Sequence, residues 1–257
     1  MPLDAFSLAR RLRAGDTVYS AWCGLPEPLV CEVIAREGFS AVTIDMQHGM
    51  WDDASALQAV ACIHLAGSAP IVRVPLWQNA LVSRMLDFGA EGIIAPMINS
   101  EAEARALVQV AKYPPLGERS IGAHRAGMLA RLPDQKLYIA DANVGTIVFA
   151  MIETRAAIDN LDAIAAMPGI DSLFVGPSDL SCSLSNGASM DPHSSDVEAA
   201  LEKVLKACER HKKIPGLYCR DAERAVAKAK SGFRFLTVAS DIAFLRAGTS
   251  AQLKALR

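Results

Sequence analysis

A few polar positions stand out because each falls at the end of a short apolar run, where the direction of a side chain is fixed. AVTIDM contains Asp45 and is followed by Gln47 and His48, APIVRV holds Arg73, TIVFAMI is followed by Glu153, and SLFVGPSDL carries Asp179. Glu153 and Asp179 are hard oxygen donors. Delivered together, they suit a divalent cation such as Mg2+ or Mn2+, with Co2+ a further candidate, that keeps positions open for water or a chelating ligand. Taken singly, either acid could equally cap the helix that follows it or make a salt bridge at the rim.

His48 follows Asp45 by three residues. A turn there would let the carboxylate accept from one imidazole nitrogen and leave the other free to move protons, as a general base does. The alternative is a histidine hydrogen-bonded into the loop beside Gly49. Arg73 lies within a strand pattern, where an unpaired guanidinium is costly to bury. It therefore needs an anion, either a neighbouring acid or a carboxylate held by its planar fork. A 2-oxo acid beside a metal would satisfy both, an arrangement that stabilises an enolate. The small residues Gly176, Pro177 and Ser178 precede Asp179, allowing backbone N–H groups to approach a carboxylate.

Other chemistries lack their residues. GxGxxG and GxxxxGK[ST] are absent, which argues against a nucleotide loop, and no lysine falls inside a predicted strand to form a Schiff base. No zinc-type Cys/His spacing occurs. His64, His124, His193 and His211 have no acid partner at a strand end and read as structural.

The elements that must position these groups are legible as eight β-rich runs, at 17–22, 41–46, 69–74, 92–97, 146–152, 172–176, 214–219 and 235–240. Helical patterns separate most of them, with Asn79, Ser100 and Asp221 suited to N-caps and glycines to several helix ends. Strands apolar on both faces and separated by helices describe a parallel sheet covered on both sides, and eight units favour an α/β fold of the (β/α)8 TIM-barrel type over an open sheet. No linker interrupts the chain, so residues 1–257 are expected to form one barrel domain. The irregular stretch from Tyr113 to about Asp141 is expected to be a loop over the site.

Composition narrows the functional classes. With 26 Lys+Arg against 28 Asp+Glu, a net charge of -2 and 51% apolar residues, the chain can bury a large core and offers no basic platform for nucleic acid. Six scattered cysteines fit reduced thiols in a cytoplasmic protein. MPLDAFSLARRLRAGD reads as an amphipathic helix, not a leader, and no apolar run suffices for a membrane span.

The blocks IDMQHG, IVRVP, LDFGAEGIIAPMI, YPPLGERSIG, MIETRAAIDNLDAI and GIDSLFVGPSDLSCSLS, in this order and spacing over nearly the whole chain, resemble the class II 2-oxo-acid aldolases of the HpcH/HpaI family. That family is typified by 4-hydroxy-2-oxoheptanedioate and 2-dehydro-3-deoxyglucarate aldolases. The resemblance implies a barrel of the phosphoenolpyruvate/pyruvate type, commonly a trimer or hexamer with C-terminal helices exchanged between subunits. It also implies reversible C–C cleavage of 4-hydroxy-2-oxo acids to pyruvate, or hydroxypyruvate, and an aldehyde. By this likeness Glu153 and Asp179 match the metal ligands, Arg73 the residue beside the enolate, and Asp45 and His48 the acid/base dyad, while Gly176, Pro177 and Ser178 match the carboxylate cradle.

Two positions depart from the family pattern. Gln47 stands where many members have an acid, and Met151 where a glutamine often precedes the metal-binding glutamate by two; both bear on donor and aldehyde preference. Trp22, Trp51 and Trp77 are further candidates for the aldehyde pocket. Two rivals remain: a malyl- or citramalyl-CoA type lyase, which would require a basic surface for CoA phosphates, and a non-catalytic barrel binding a metal–oxo-acid complex, which would not need a proton shuttle.

Overall fold

The computed structural model describes residues 4–257. The first half runs α1 (Ser7–Arg13), β1 (Val18–Cys23), α2 (Pro28–Arg36), β2 (Ala41–Asp45), α3 (Asp53–Leu65), β3 (Ala69–Arg73), α4 (Asn79–Phe88), β4 (Gly92–Ala95), α5 (Glu101–Ala111), α6 (His124–Leu129) and α7 (Gln135–Gly145). The second runs β5 (Ile147–Ile152), α8 (Arg155–Asp159), α9 (Leu161–Ala166), β6 (Ser172–Val175), α10 (Pro177–Leu184), α11 (Ser195–His211), β7 (Ile214–Cys219), α12 (Ala222–Lys230), β8 (Phe235–Val238) and α13 (Asp241–Ala255). The strands are parallel and close in sequence order, β8 pairing back onto β1. All eight strands expected from the sequence are present. Of the N-terminal amphipathic helix expected there, the first three residues lie outside the described part and the rest includes α1.

Side-chain alternation explains why this barrel carries its site where it does. Along β5, Ile147, Phe149 and Met151 join the cluster inside the barrel, while Val148, Ala150 and Ile152 pack outward under the helices. The next inward position is Glu153. The same period of two runs through Ala41 to Asp45 and through Ala69 and Ile71 to Arg73, so three of the candidate site side chains emerge together at the C-terminal rim. Beneath them Phe149, Phe174 and Phe235 fill the lumen, with Phe149 and Phe235 ring centres 4.6 Å apart. The barrel is a packed core with a polar upper layer.

Helix ends follow local chemistry. Ser100 and Asp221 accept the N–H of Glu103 and Arg224, as expected of N-caps. At α4 the cap is Gln78, without a side-chain bond, and Asn79 is the first helical residue.

The expectation for 113–141 is overturned. This stretch follows α5, which carries the chain back from the rim, so it is an αβ connection at the opposite, N-terminal end of its own barrel, and much of it is helical in α6 and α7. Lys112, wholly buried, anchors it by donating to the carbonyls of Asn143 and Thr146 and to Asp171, at 2.8–2.9 Å. Tyr138 packs on Phe6, ring centres 5.3 Å apart.

Candidate active site

Asp45 and Arg73 end neighbouring strands in register, so their side chains meet. Arg73 Nε donates to Asp45 Oδ1 at 2.8 Å and Nη2 to Oδ2 at 2.7 Å, a two-pronged ion pair. Asp45 also accepts from Trp22 Nε1 at 3.1 Å and from the backbone N–H groups of Gln47 and His48 at 3.1 and 3.3 Å. Burial pushes its carboxyl up, but Arg73, helped by Trp22 and the His48 N–H, outweighs that and holds it below the usual range. Arg73 lies 4.7 Å over the Trp22 ring. The sequence expectation of an Asp45–imidazole bond is therefore not met: the carboxylate takes the main chain of His48, and its oxygens are occupied by Arg73 and Trp22. The turn that achieves this needs glycine at 49, where a Cβ would come within 2.2 Å of the Asp45 carbonyl.

Glu153 and Asp179 form the second half of the site. Glu153 is 2% exposed, and one of its oxygens accepts the Met97 N–H at 3.0 Å. Burial pushes its carboxyl up to about 7; the Met97 bond opposes this, and the charge of Asp179 adds to it. Asp179 sits in the first turn of α10. Two acids that disfavour each other's charge, one of them buried, are the donor set that a hard cation resolves. Among the described residues no group of three or more His, Cys, Asp or Glu side chains could hold a metal, so a cation here would rest on two carboxylates and draw its other ligands from substrate and water. Gly176 makes the approach possible, since a Cβ there would fall 2.5 Å from Glu153 Oε1.

A cavity of about 270 Å³ opens over these groups, lined by Trp22, Asp45, His48, Arg73, Met151, Gly176, Pro177, Ser178, Asp179 and Tyr218. His48 is exposed at its edge. The Gly176 N–H is already given to Ile152, and Pro177 has none. Open donors in the cradle therefore come from Ser178 and Asp179 at the start of α10. Gln47 does not line the cavity, and its buried Oε1 has no partner. Of the three tryptophans only Trp22 reaches the site: Trp51 is buried, donating to the Cys23 carbonyl, and Trp77 is 83% exposed beside a separate hollow. Tyr218 was not singled out from the sequence. Its signal is the inward parity of β7, and it meets Trp22 edge to face at 5.2 Å.

Three comparisons bear on this geometry. The family model for HpcH/HpaI aldolase/citrate lyase matches residues 19–247. The chain is 36% identical over 233 residues, 91% of each chain, to a hydroxypyruvate/pyruvate aldolase of Rhizorhabdus wittichii. It is 32% identical over 240 residues to a 5-keto-4-deoxy-D-glucarate aldolase of Salmonella arizonae, covering 93% of this chain and 91% of that one. A crystal structure of an HpcH/HpaI aldolase/citrate lyase family protein from Burkholderia cenocepacia superposes with a TM-score of 0.88 at 32% identity, covering 98% of this chain and 99% of that one. Closed barrel, rim chemistry and similarity along the length of the chain agree, and the chain belongs to the HpcH/HpaI aldolase/citrate lyase family of enzymes.

Proposed function

We propose that the chain is a metal-dependent aldolase that reversibly cleaves 4-hydroxy-2-oxo acids to pyruvate, or hydroxypyruvate, and an aldehyde. The observation that carries this is the buried Glu153 carboxyl beside Asp179, packed against Gly176 behind the wall of a cavity that Gly176, Asp179 and Arg73 line. Glu153 and Asp179 would hold a divalent cation, Mg2+, Mn2+ or Co2+. Bound there, the cation supplies Lewis acidity toward the carboxylate and keto oxygens of the substrate.

The chain's own groups do the rest. Open N–H groups of Ser178 and Asp179 bind the substrate carboxylate, with the small residues Gly176 and Pro177 clearing the approach. Arg73, held rigid by Asp45 and Trp22, offers its remaining Nη1 edge to the oxygen on which enolate charge develops. His48, free of any side-chain tie to Asp45, takes the proton of the C4 hydroxyl. The C3–C4 electrons pass into the C2–C3 bond, the aldehyde leaves, and a proton returned to C3 gives pyruvate. Asp45 serves this reading by fixing Arg73 and the backbone of His48. Met151, apolar in the lining, leaves this wall without an amide donor and bears on donor choice, whereas Gln47 stays outside the lining.

The relatives named hydroxypyruvate/pyruvate aldolase favour this substrate class over a CoA ester. A homo-oligomer, trimer or hexamer with α13 exchanged, fits the exposure of Leu253 and Leu256 at 50% and 84% and an apolar groove between α2 and α13. A cytoplasmic setting fits six free cysteines; no helix among the described residues is long and apolar enough to cross a membrane. The test is pyruvate release from 4-hydroxy-2-oxo acids in a coupled assay, with and without chelator. Chelation should abolish release and added Mn2+ or Mg2+ restore it; chelator-resistant release, or release only from acyl-CoA substrates, would refute the reading. Substituting His48→Ala or Arg73→Ala should lower turnover by about 100-fold or more.

A further inference from the structure

We propose that Asn99 is a positioning residue that holds Glu153 in its metal-binding orientation through the main chain of Met97, an inference that rests on the reading of Glu153 as a ligand. Met97 stands just beyond β4 with φ +53°, a left-handed conformation that a non-glycine residue adopts at a cost. In that conformation its N–H donates to Glu153 Oε2 at 3.0 Å. The next N–H, of Ile98, donates to the Met151 carbonyl at 3.2 Å. Two successive N–H groups thus stitch this turn to the end of β5, one to backbone and one to the functional carboxylate.

The side chain of Asn99 fastens the turn. Its Nδ2 donates to the Met97 carbonyl at 3.0 Å, and its Oδ1 accepts from Thr154 Oγ1. The Thr154 hydroxyl also accepts from the Ala157 N–H as the cap of α8, and the Met97 carbonyl, which can only accept, requires the amide nitrogen of Asn99 on its side. The Met97 carbonyl thus settles the amide orientation and leaves Oδ1 to accept from Thr154, so the position uses a donor on one arm and an acceptor on the other. Only an amide supplies both: aspartate has the same shape but would set a carboxylate oxygen against the Met97 carbonyl. Asn99 is held in turn by its N–H to Glu103 at 2.6 Å and by Asn160 Nδ2 on its carbonyl at 2.8 Å. Groups that orient a ligand from behind commonly tune metal affinity by about 10–100-fold.

The experiment is calorimetric titration of Mn2+ into metal-stripped protein for wild type, Asn99→Asp, Asn99→Ala, Thr154→Val, Thr154→Ser and Glu153→Gln, with thermal unfolding of each. Asn99→Asp and Asn99→Ala should weaken Mn2+ binding by about 10-fold or more. Thr154→Val should weaken it less, and Thr154→Ser should restore wild-type affinity. Excess Mn2+ should recover turnover in the Asn99 variants, which a general packing defect would not allow. If the Asn99 variants bind Mn2+ as wild type does while Glu153→Gln loses it, the positioning role is wrong and the metal site stands. If Glu153→Gln binds as wild type does, the ligand reading fails and this role fails with it. Should the Asn99 variants not fold, the contrast of Thr154→Val with Thr154→Ser decides alone: equal affinities overturn the role.

Discussion

Glu153 at the C-terminal rim and Glu91 at the N-terminal end of the barrel share their immediate physics. Both are buried, each accepts one backbone N–H, from Met97 at 3.0 Å and Leu8 at 2.9 Å, and burial pushes both carboxyls to about 7. Their surroundings differ. Glu153 faces a second acid beside a cavity of about 270 Å³, whereas Glu91 borders a void of about 20 Å³, room for a water at most. At that end most buried charges are matched by protein, as with Lys112 and its three acceptors. A perturbed carboxyl therefore marks burial; an unmatched second acid and room for a ligand mark chemistry.

Exchanging the two glutamates for glutamine should separate these roles most sharply. Glu153→Gln should abolish measurable Mn2+ binding in calorimetry and lower pyruvate release by about 1000-fold or more. Glu91→Gln should leave both within about twofold. If Glu91→Gln cost as much, the distinction would collapse.

Next in size is the Asp45–Arg73 pair. Replacing Asp45 by Asn leaves a buried guanidinium half-paired, with a stability loss of up to about 3–5 kcal/mol by urea unfolding and about 100-fold in kcat/KM. Unchanged turnover would show that Arg73 needs no brace.

Glu91 should show itself through pH. Its proton is kept in the folded state to about 7 and released by the unfolded chain near its ordinary 4.5. Stability contributed by this group is thus full below about 4.5, falls as pH rises to about 7 and then levels, a loss on the order of 3 kcal/mol. Urea unfolding across pH 4–9 should show a shallower decline in Glu91→Gln than in wild type; parallel curves would contradict it. The smallest effect belongs to Tyr218→Phe, which keeps the ring against Trp22 and removes one cavity hydroxyl. A change of about 3–10-fold in KM for the aldehyde, with kcat held, is expected in aldol addition.

Asp45, Arg73, Glu153 and Asp179 were legible because each stands at or just past the end of an apolar strand run, and the C-terminal ends of barrel strands face one rim. Tyr218 is hidden in the sequence because Pro215 and Gly216 blur the alternation of IPGLYC, leaving its inward parity unmarked by residue type. The contribution of Met97 lies in a left-handed backbone and an N–H, neither of which a residue type announces. His48 illustrates a different limit: three-residue spacing from Asp45 allowed a ring contact, but Arg73, in register on the next strand, took the carboxylate. The 113–141 stretch lies away from the site because α5 intervenes, and one helix is enough to move a connection to the other end of a barrel.

The pairing of Glu153 with Asp179 as a metal centre is tested most directly by anomalous diffraction at the manganese edge, from crystals of the protein soaked in Mn2+ and pyruvate. The expected map has an anomalous peak between these two carboxylates and pyruvate beside Arg73. A peak elsewhere, or pyruvate bound at saturating Mn2+ with no peak between Glu153 and Asp179, would contradict it.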